Sequence, residues 1–268
     1  MGEMGEMVED LQTIRFSHDG DVLIATIDNP ASDLNAVDAQ LHEDFGALFR
    51  MLKRSHARAV LLTGSKKAFC AGGDFGWFPK LRAIPALLEL HVDAKQMIWD
   101  LLDAPMPIVA GLNGSAAGLG ASIALLCDLV VMSERASIVD PHVSVGLVAG
   151  DGGAAIWPLV LGPLAAKRHL LLGDPLGAAD ALRLGVAAEV CRAEDVHAAS
   201  LRWAHRLGDG APIAVRGTKA AVNAQLKRAL LDSFDVSTAL EIPCFLSSDH
   251  AEALAAMQDK RTPKFTGA

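Results

Sequence analysis

The feature that most constrains this chain is an order of segments that occurs twice. In each case a segment long enough for a helix is followed by a short apolar run of strand length. "RAVLLTG" and "MPIVAGLNG" are both short and apolar, and each follows a predicted helix, at residues 36–55 and 81–102. Before the first helix, "IRFSHDGDVLIATIDNP" alternates around Asp19-Gly20, which predicts an antiparallel hairpin. A later run, "VVMSERASIV", is interpreted as one further strand. Helical patterns dominate beyond residue 150 without a linker, so we expect one α/β core with a helical C-terminal region.

Composition and charge disfavour several classes of function. The 268 residues include 24 Lys plus Arg and 32 Asp plus Glu, a net charge of -8 without a basic block, so no nucleic-acid partner is expected. The four cysteines form neither a CxxC pair nor a Cys/His zinc pattern, which indicates reduced thiols in a cytoplasmic protein and no metal site. The acidic N-terminus has no apolar core, and no apolar run approaches the roughly 20 residues that span a bilayer, so neither export nor a membrane partner is expected.

Two loops of small residues, "FCAGGD" and "GSAAGLGAS", each lie where a predicted strand feeds a helix. Unshielded N–H groups at such a point stabilise an anion. Two of them aimed at one carbonyl oxygen would form an oxyanion hole, worth about 3 to 4 kcal/mol per donor. The alternative is that the glycines only permit close packing or a helix C-cap.

These loops, with "DNPASDLNAV", "GLVAGDGGAAIWPLVLG" and the terminal "MQDKRTPKF", resemble the crotonase superfamily, also called the enoyl-CoA hydratase/isomerase family, from about residue 14 to residue 265. The resemblance implies a spiral of ββα units followed by helices that build a homotrimer or a dimer of trimers. We therefore expect a flexible N-terminus (1–12), a crotonase spiral core (13–205) and a C-terminal helical region used for oligomerisation (206–268).

The resemblance also implies chemistry on an acyl-CoA thioester, with coenzyme A as part of the substrate and no separate cofactor. The backbone N–H groups of Gly73 and Leu119 are the implied oxyanion donors. Further substrate contacts are implied for loop residues and for the C-terminus, namely Ala71, Gly72, Asp74, Gly118, Gly120, Lys260 and Phe265. Trp77 either lines the acyl pocket or covers the core, and the C-terminal residues either contact coenzyme A or belong to a solvated tail.

The chain departs from the family at both catalytic carboxylates. The two glutamates of the hydratases fall here on Ser122 and His142. Adding water to an enoyl thioester needs a base and an acid, and a serine hydroxyl is too weak a base unless another group activates it. Ordinary hydratase activity is therefore not expected.

His142 and Asp151 are the candidate replacements. A turn about Gly146 would bring the carboxylate beside the imidazole and form a dyad that activates water. Alternatively, His142 bonds a backbone carbonyl, and Asp151 caps the helix that follows it.

A narrower resemblance connects this pair to the β-diketone hydrolases, which cleave C–C bonds without coenzyme A. His142 and Asp151 match the branch in type and spacing, and Glu241 and His42 match two further polar residues of its site, by counting across loops. The histidine that the branch carries in its second oxyanion loop has no counterpart here.

Three hypotheses follow from these residues. The first is an acyl-CoA enzyme in which His142 and Asp151 replace the glutamates. The second is a retro-Claisen hydrolase of a β-diketone. The third is an acyl-CoA-binding protein without catalytic activity.

Overall fold

A computed structural model of the chain describes residues 11–81 and 83–268. The flexible N-terminus predicted for residues 1–12 therefore lies almost entirely outside the described residues. Within those residues, no helix combines the length and the apolar character that crossing a lipid bilayer requires.

Nine strands form two sheets in the described part of the chain. They are β1 (Ile14–Asp19), β2 (Val22–Ile27), β3 (Ala59–Gly64), β4 (Ile108–Leu112), β5 (Ala116–Ala117), β6 (Leu129–Ser133), β7 (Ser137–Val139), β8 (Leu176–Gly177) and β9 (Glu189–Cys191). The larger sheet has the order β1-β2-β3-β4-β6-β9, and the smaller has the order β5-β7-β8. The predicted hairpin is confirmed as the antiparallel pair β1–β2, and from β2 to β9 every pairing in the larger sheet is parallel.

Nine α-helices, counted over the described residues, connect and cover these strands. They are α1 (Ala39–Leu52), α2 (Ile84–Asp103), α3 (Leu119–Leu126), α4 (Gly153–Leu161), α5 (Pro163–Leu172), α6 (Ala178–Arg183), α7 (Val196–Gly208), α8 (Pro212–Phe245) and α9 (Ser248–Gln258). The helices predicted before the first two buried strands are confirmed as α1 and α2. Asp38 is the N-cap of α1, and its side chain accepts a hydrogen bond of 2.9 Å from the Leu41 N–H.

The inner strands of the larger sheet are buried on both faces, which explains their unbroken apolar sequence. Val60 and Leu62 of β3 join the main core with Phe45 and Phe49 of α1. Leu61, which points to the opposite face, belongs to a second cluster formed with α7. The sheet is thus fixed from both sides, and its loops project from a rigid base.

The prediction of one strand over "VVMSERASIV" is wrong, because the segment contains two strands of different sheets. A turn at Glu134 and Arg135 ends β6, and the Ala136 N–H closes the turn with a hydrogen bond of 2.9 Å to the Ser133 carbonyl. The chain then pairs as β7 with β5 in the smaller sheet. This step brings the residues after Val139 beside the loop that precedes α3.

The C-terminal helices also differ in their limits from the predicted ones. The boundary predicted after residue 205 falls inside α7, which continues to Gly208. The next helix, α8, is unbroken for 34 residues from Pro212 to Phe245. It extends far enough to place residues near its C-terminal end beside the loop that follows His142.

Candidate active site

The two loops of small residues lie against each other in the fold. The Ala117 N–H donates a hydrogen bond of 2.8 Å to the Cys70 carbonyl, and Cys70 and Ala116 form a parallel bridge. Gly72 has a φ of +76°, and a β-carbon there would lie 2.9 Å from the Ala117 carbonyl oxygen. Close packing therefore does require a glycine at this position.

Gly73 and Leu119 place two backbone N–H groups at one cavity. Both residues line a cavity of about 70 Å³. Leu119 is the first residue of α3, so its N–H has no acceptor within the helix. Among the hydrogen bonds of residues 11–81 and 83–268, none is donated by either N–H. Both N–H groups are therefore without an acceptor among the described residues.

The cavity wall is mainly apolar and carries five polar side chains. Its apolar lining comes from the first loop and from helices α2 and α8, and includes Trp77, Phe78, Leu90 and Phe245. The polar side chains that line it are His42, His91, His142, Asp151 and Glu241. Such a cavity suits a small organic molecule with few polar groups.

The imidazole of His142 is oriented by Asp140, a residue that the sequence interpretation missed. The Asp140 Oδ1 lies 2.6 Å from the His142 Nδ1 and also accepts the His142 backbone N–H at 3.2 Å. Asp140 is 1% exposed and follows β7 directly. An aspartate two positions before a candidate catalytic histidine was the signal available in "DPH". The Nε2 of His142 is left to face the cavity.

Asp151 faces both the imidazole and its own helix. Its Oδ2 lies 3.5 Å from the His142 Nε2. Its Oδ1 accepts hydrogen bonds from the Gly153 N–H at 3.4 Å and from the Ser122 hydroxyl at 3.5 Å. The N-cap residue of α4 is Gly152, so Asp151 supports the helix without occupying the N-cap position. The catalytic and capping interpretations therefore describe different oxygens of one carboxyl group.

Glu241 joins this cluster from α8 and connects it to a second histidine. Its Oε1 lies 3.7 Å from the His142 Nε2, and its Oε2 lies 3.8 Å from the His91 Nε2. Glu241 is 3% exposed and His91 is 8% exposed. His91 lines the cavity although its sequence surroundings did not mark it as a site residue. No local pattern could reveal this, because His91 and Glu241 are 150 positions apart in the chain and meet only in the folded protein.

Two glycines leave the space that the buried carboxyl groups occupy. A β-carbon at Gly150 would lie 2.2 Å from the Glu241 Oε2. One at Gly153 would lie 1.9 Å from the Asp140 Oδ2. The glycines of the "AGDGG" segment therefore let its backbone lie close to the carboxyl groups of Glu241 and Asp140.

The surroundings of each group fix its protonation. Burial lowers the pKa of His142, but Asp151, Asp140 and Glu241 outweigh burial and hold that pKa well above its usual value. Burial raises the pKa of Asp151 against the opposing effect of His142. Burial raises the pKa of Glu241 to about 8, and it lowers the pKa of His91 to about 4. At neutral pH these shifts favour a charged His142, a protonated Glu241 and a neutral His91.

The remaining predicted residues divide into those at the cavity and those away from it. Ser122 is fully buried beside Asp151, and a β-carbon on Gly118 would lie 3.6 Å from the His142 Cε1. Trp77 lines the cavity, with its ring centroid 5.8 Å from that of His42. The Asp74 carboxylate is held within its own loop by the Gly76 N–H at 2.6 Å. The residues that do not line the cavity are Ala71, Gly72, Asp74, Gly118, Gly120, Ser122, Lys260 and Phe265.

Asp140, His142 and Asp151 also have the composition of a metal-ligand set. Each offers one ligand atom, and these atoms lie within 4.8 Å of one another. The 2.6 Å contact between Asp140 and the His142 Nδ1 is, however, a hydrogen bond of ordinary strong geometry. A proton shared by these two groups accounts for their arrangement.

Known proteins resemble the chain along nearly all of its length. The sequence model of the family described as Enoyl-CoA hydratase/isomerase matches residues 18–268. A relative from Rhodobacter capsulatus named "Probable enoyl-CoA hydratase" is 32% identical over 257 residues, which cover 95% of this chain and 98% of the relative.

Solved structures show the same fold. An enoyl-CoA hydratase/isomerase from Mycobacterium paratuberculosis superimposes with a TM-score of 0.86 at 35% identity, covering 92% of this chain and 99% of the other. A β-diketone hydrolase from the cyanobacterium Anabaena, bound to (S)-3-oxocyclohexyl acetic acid, gives 0.84 at 26% identity and covers 90% of this chain and 96% of the other. The predicted crotonase-like α/β fold is thereby confirmed. The chain belongs to the enoyl-CoA hydratase/isomerase family of the crotonase superfamily.

Proposed function

We propose that the protein hydrolyses a carbon–carbon bond of a β-diketone. The observation that carries this proposal is the position of the His142 Nε2, which lies 3.5 Å from the Asp151 Oδ2 at the cavity while Asp140 holds the other ring nitrogen. His142 stands where the family resemblance places a catalytic glutamate. The group at this position is thus an oriented imidazolium beside a carboxylate.

The pair is spaced to hold a water molecule. Two atoms 3.5 Å apart are too distant for a strong hydrogen bond, but both can lie about 2.8 Å from one shared oxygen. A water at that point would donate to Asp151 and accept from the His142 Nε2–H. Because Asp151 has a raised pKa, it is a stronger base than an exposed aspartate.

The reaction then needs only groups of this chain and one water. Asp151 accepts a proton as the water oxygen bonds to one carbonyl carbon, and the oxyanion formed is stabilised by the N–H groups of Gly73 and Leu119. The C–C bond breaks, and its electron pair remains on the leaving ketone as an enolate. The His142 Nε2–H protonates the α-carbon, and Asp151 returns its proton to His142. A carboxylic acid and a ketone are formed, and the site regains its starting protonation.

The β-diketone hydrolase from Anabaena supports this substrate class. Its bound ligand, (S)-3-oxocyclohexyl acetic acid, carries one ketone and one carboxylic acid. These are the two groups that C–C hydrolysis of a cyclic β-diketone produces.

An acyl-CoA substrate is the second candidate, because the two free N–H groups suit a thioester carbonyl and the relatives are named for enoyl-CoA chemistry. Coenzyme A would then be part of the substrate. Lys260 and Phe265 would reach it from a neighbouring subunit of a homotrimer or a dimer of trimers.

The groove next to the cavity favours the smaller substrate. It has a volume of about 440 Å³ and shares His42, Trp77 and Leu90 with the cavity. Its exposed charged residues are three acids and one base, namely Glu43, Glu89, Asp93 and Arg50. This balance repels the phosphates of coenzyme A and leaves a neutral diketone unaffected.

The deciding experiment compares the two substrate classes on one preparation. We expect hydrolysis of 2,2-dimethylcyclohexane-1,3-dione to 6-methyl-5-oxoheptanoic acid. Chromatography of the product measures this reaction. We expect neither binding nor hydration of crotonyl-CoA at millimolar concentration. Turnover of crotonyl-CoA without turnover of the diketone would overturn the proposal. Binding of acyl-CoA without turnover of either compound would leave a non-catalytic acyl-CoA-binding protein.

A backbone variant tests the oxyanion donors. Proline is tolerated at the first position of a helix, so Leu119→Pro removes the N–H and keeps α3. We expect kcat for the diketone to fall by about 10²-fold, the usual effect of losing one such donor. The control Leu119→Ala keeps the N–H and should retain most of the activity. Equal rates in the two variants would exclude Leu119 as a donor.

A further inference from the structure

Two oxygens of a β-diketone gain negative charge during C–C hydrolysis. The oxygen of the attacked carbonyl does so first, and the oxygen of the leaving ketone does so when it becomes an enolate. The N–H groups of Gly73 and Leu119 suit one of these oxygens. The second oxygen requires further donors in the same cavity.

We infer that His91 and Glu241 together bind the second carbonyl oxygen of the substrate, an inference that rests on the proposed function. The His91 Nε2 is buried, and within the described residues it forms no hydrogen bond. Both residues line the cavity that contains His142. The Glu241 Oε2 lies 3.8 Å from the His91 Nε2, beyond hydrogen-bond distance.

The spacing of the pair fits one shared acceptor. Two atoms 3.8 Å apart can each lie about 2.8 Å from a single oxygen, in the way that two donors converge on a carbonyl. With the ring proton on the His91 Nε2, the tautomer that this inference requires, both neighbours donate at neutral pH. A carbonyl or enolate oxygen has only lone pairs to offer, and it satisfies both.

The protonation of the pair agrees with this role. Burial raises the pKa of Glu241 to about 8, so the carboxyl group keeps a proton to donate at neutral pH. Burial lowers the pKa of His91 to about 4, so the ring is neutral and has one N–H. The pair adds two donors without adding a positive charge. It thereby selects an uncharged substrate that carries a second oxygen.

The positions of the two helices indicate where the second carbonyl oxygen of the substrate lies in the cavity. His91 belongs to α2 and Glu241 to α8, whereas the attacking groups belong to the loop between β7 and α4. The second oxygen therefore points toward the helical side of the cavity. Compounds with one carbonyl lack this contact, and we expect the protein to discriminate against them.

The test uses a matched pair of ketones and three variants. In an Asp151→Asn background, which slows turnover about 10³-fold, calorimetry compares 2,2-dimethylcyclohexane-1,3-dione with 2,2-dimethylcyclohexanone, which lacks the second oxygen. We expect the diketone to bind about tenfold more tightly, and His91→Phe to remove this preference without changing the Kd of the monoketone. His91→Gln keeps a donor and should retain part of the preference. His197→Phe, at an exposed histidine of α7, is the control.

Turnover gives a second readout on the protein with Asp151 intact. We expect His91→Phe to lower kcat for the diketone by about 10²-fold, with a smaller change in KM, because the contact strengthens as the enolate forms. An unchanged kcat and an unchanged Kd ratio in His91→Phe would overturn the inference and leave the hydrolase proposal standing. A preference for the diketone that depends on His91, without any turnover, would instead overturn the hydrolase proposal and support the oxygen-binding pair.

Discussion

His142 and His91 present the same ring nitrogen to the same carboxyl group and differ in charge. Their Nε2 atoms lie 3.7 Å and 3.8 Å from the two oxygens of Glu241. Burial lowers the pKa of both rings. Only His142 has two aspartates beside it as well, and they reverse the effect of burial.

The comparison shows that the number of neighbouring carboxylates, rather than depth, assigns the roles. The histidine beside Asp140 and Asp151 becomes a proton donor, and the histidine beside the protonated Glu241 alone stays a neutral hydrogen-bonding group. The sequence around His91 in α2 gives no sign of this difference from His142. The difference arises from Asp140 and Asp151, which the loops on either side of His142 supply.

The largest loss of activity should come from replacing Asp140, which orients the ring of His142. In Asp140→Asn, the neutral amide no longer favours the charged ring, and its NH2 group can donate to the His142 Nδ1 and select the wrong tautomer, so the pKa of His142 should fall toward that of His91. We expect kcat for the diketone to fall by about 10³- to 10⁴-fold, as in hydrolases whose histidine loses its orienting aspartate. Stopped assays measure the rate, and histidine NMR measures the pKa. A variant with near wild-type kcat would show that Asp140 does not orient the His142 ring for catalysis.

The next largest effect should come from Asp151→Asn, which removes the base and one carboxylate from the surroundings of His142. We expect kcat to fall by about 10³-fold with little change in KM. The melting temperature should change only slightly, because an asparagine still accepts the Gly153 N–H. A large loss of melting temperature with unchanged kcat would identify Asp151 as a support of α4 alone.

Glu241→Gln tests the group that the two histidines share. The folded protein keeps a proton on Glu241 up to about pH 8, whereas an ordinary glutamate loses it near 4.5. The free energy of unfolding should therefore decrease as pH rises from about 4.5 to about 8, and Glu241→Gln should weaken this slope. Chemical denaturation at several pH values measures it. An identical slope in the variant would show that Glu241 is ionised in the folded protein.

The smallest effect is expected for Ser122→Ala. The hydroxyl lies 3.5 Å from the Asp151 Oδ1, at the long limit of a hydrogen bond, and Gly153 binds the same oxygen. We expect kcat to change by no more than about threefold. A tenfold loss would mean that Ser122 contacts the substrate or the water directly.

Much of the fold could be predicted from the sequence, because its strands and helices are set by local pattern. The hairpin at β1 and β2 and the helices α1 and α2 follow from turn residues and apolar spacing. The division of "VVMSERASIV" could not be predicted in this way, since both halves are apolar and only sheet pairing separates β6 from β7. The same holds for the unbroken α8, whose length depends on packing against other helices.

The site was predictable only where its members are close in sequence. His142 and Asp151 were recognisable because a family resemblance marked their segment, and Gly73 and Leu119 because of their loops. His91 has no such mark, and its partner Glu241 lies on a different helix. Asp140 was overlooked although it stands two residues from His142, because an aspartate before proline is more often a turn residue.

The close approach of Gly150 and Gly153 to the buried acids limits how the substrate range of this protein can change. Any side chain at these positions would overlap Glu241 or Asp140 and displace a group on which the proposed reaction depends. Leu90 and Phe245 line the same cavity from α2 and α8 without contributing a proton or a hydrogen bond. Enzyme engineering for larger or smaller diketones should therefore vary Leu90 and Phe245 and leave the "AGDGG" segment unchanged.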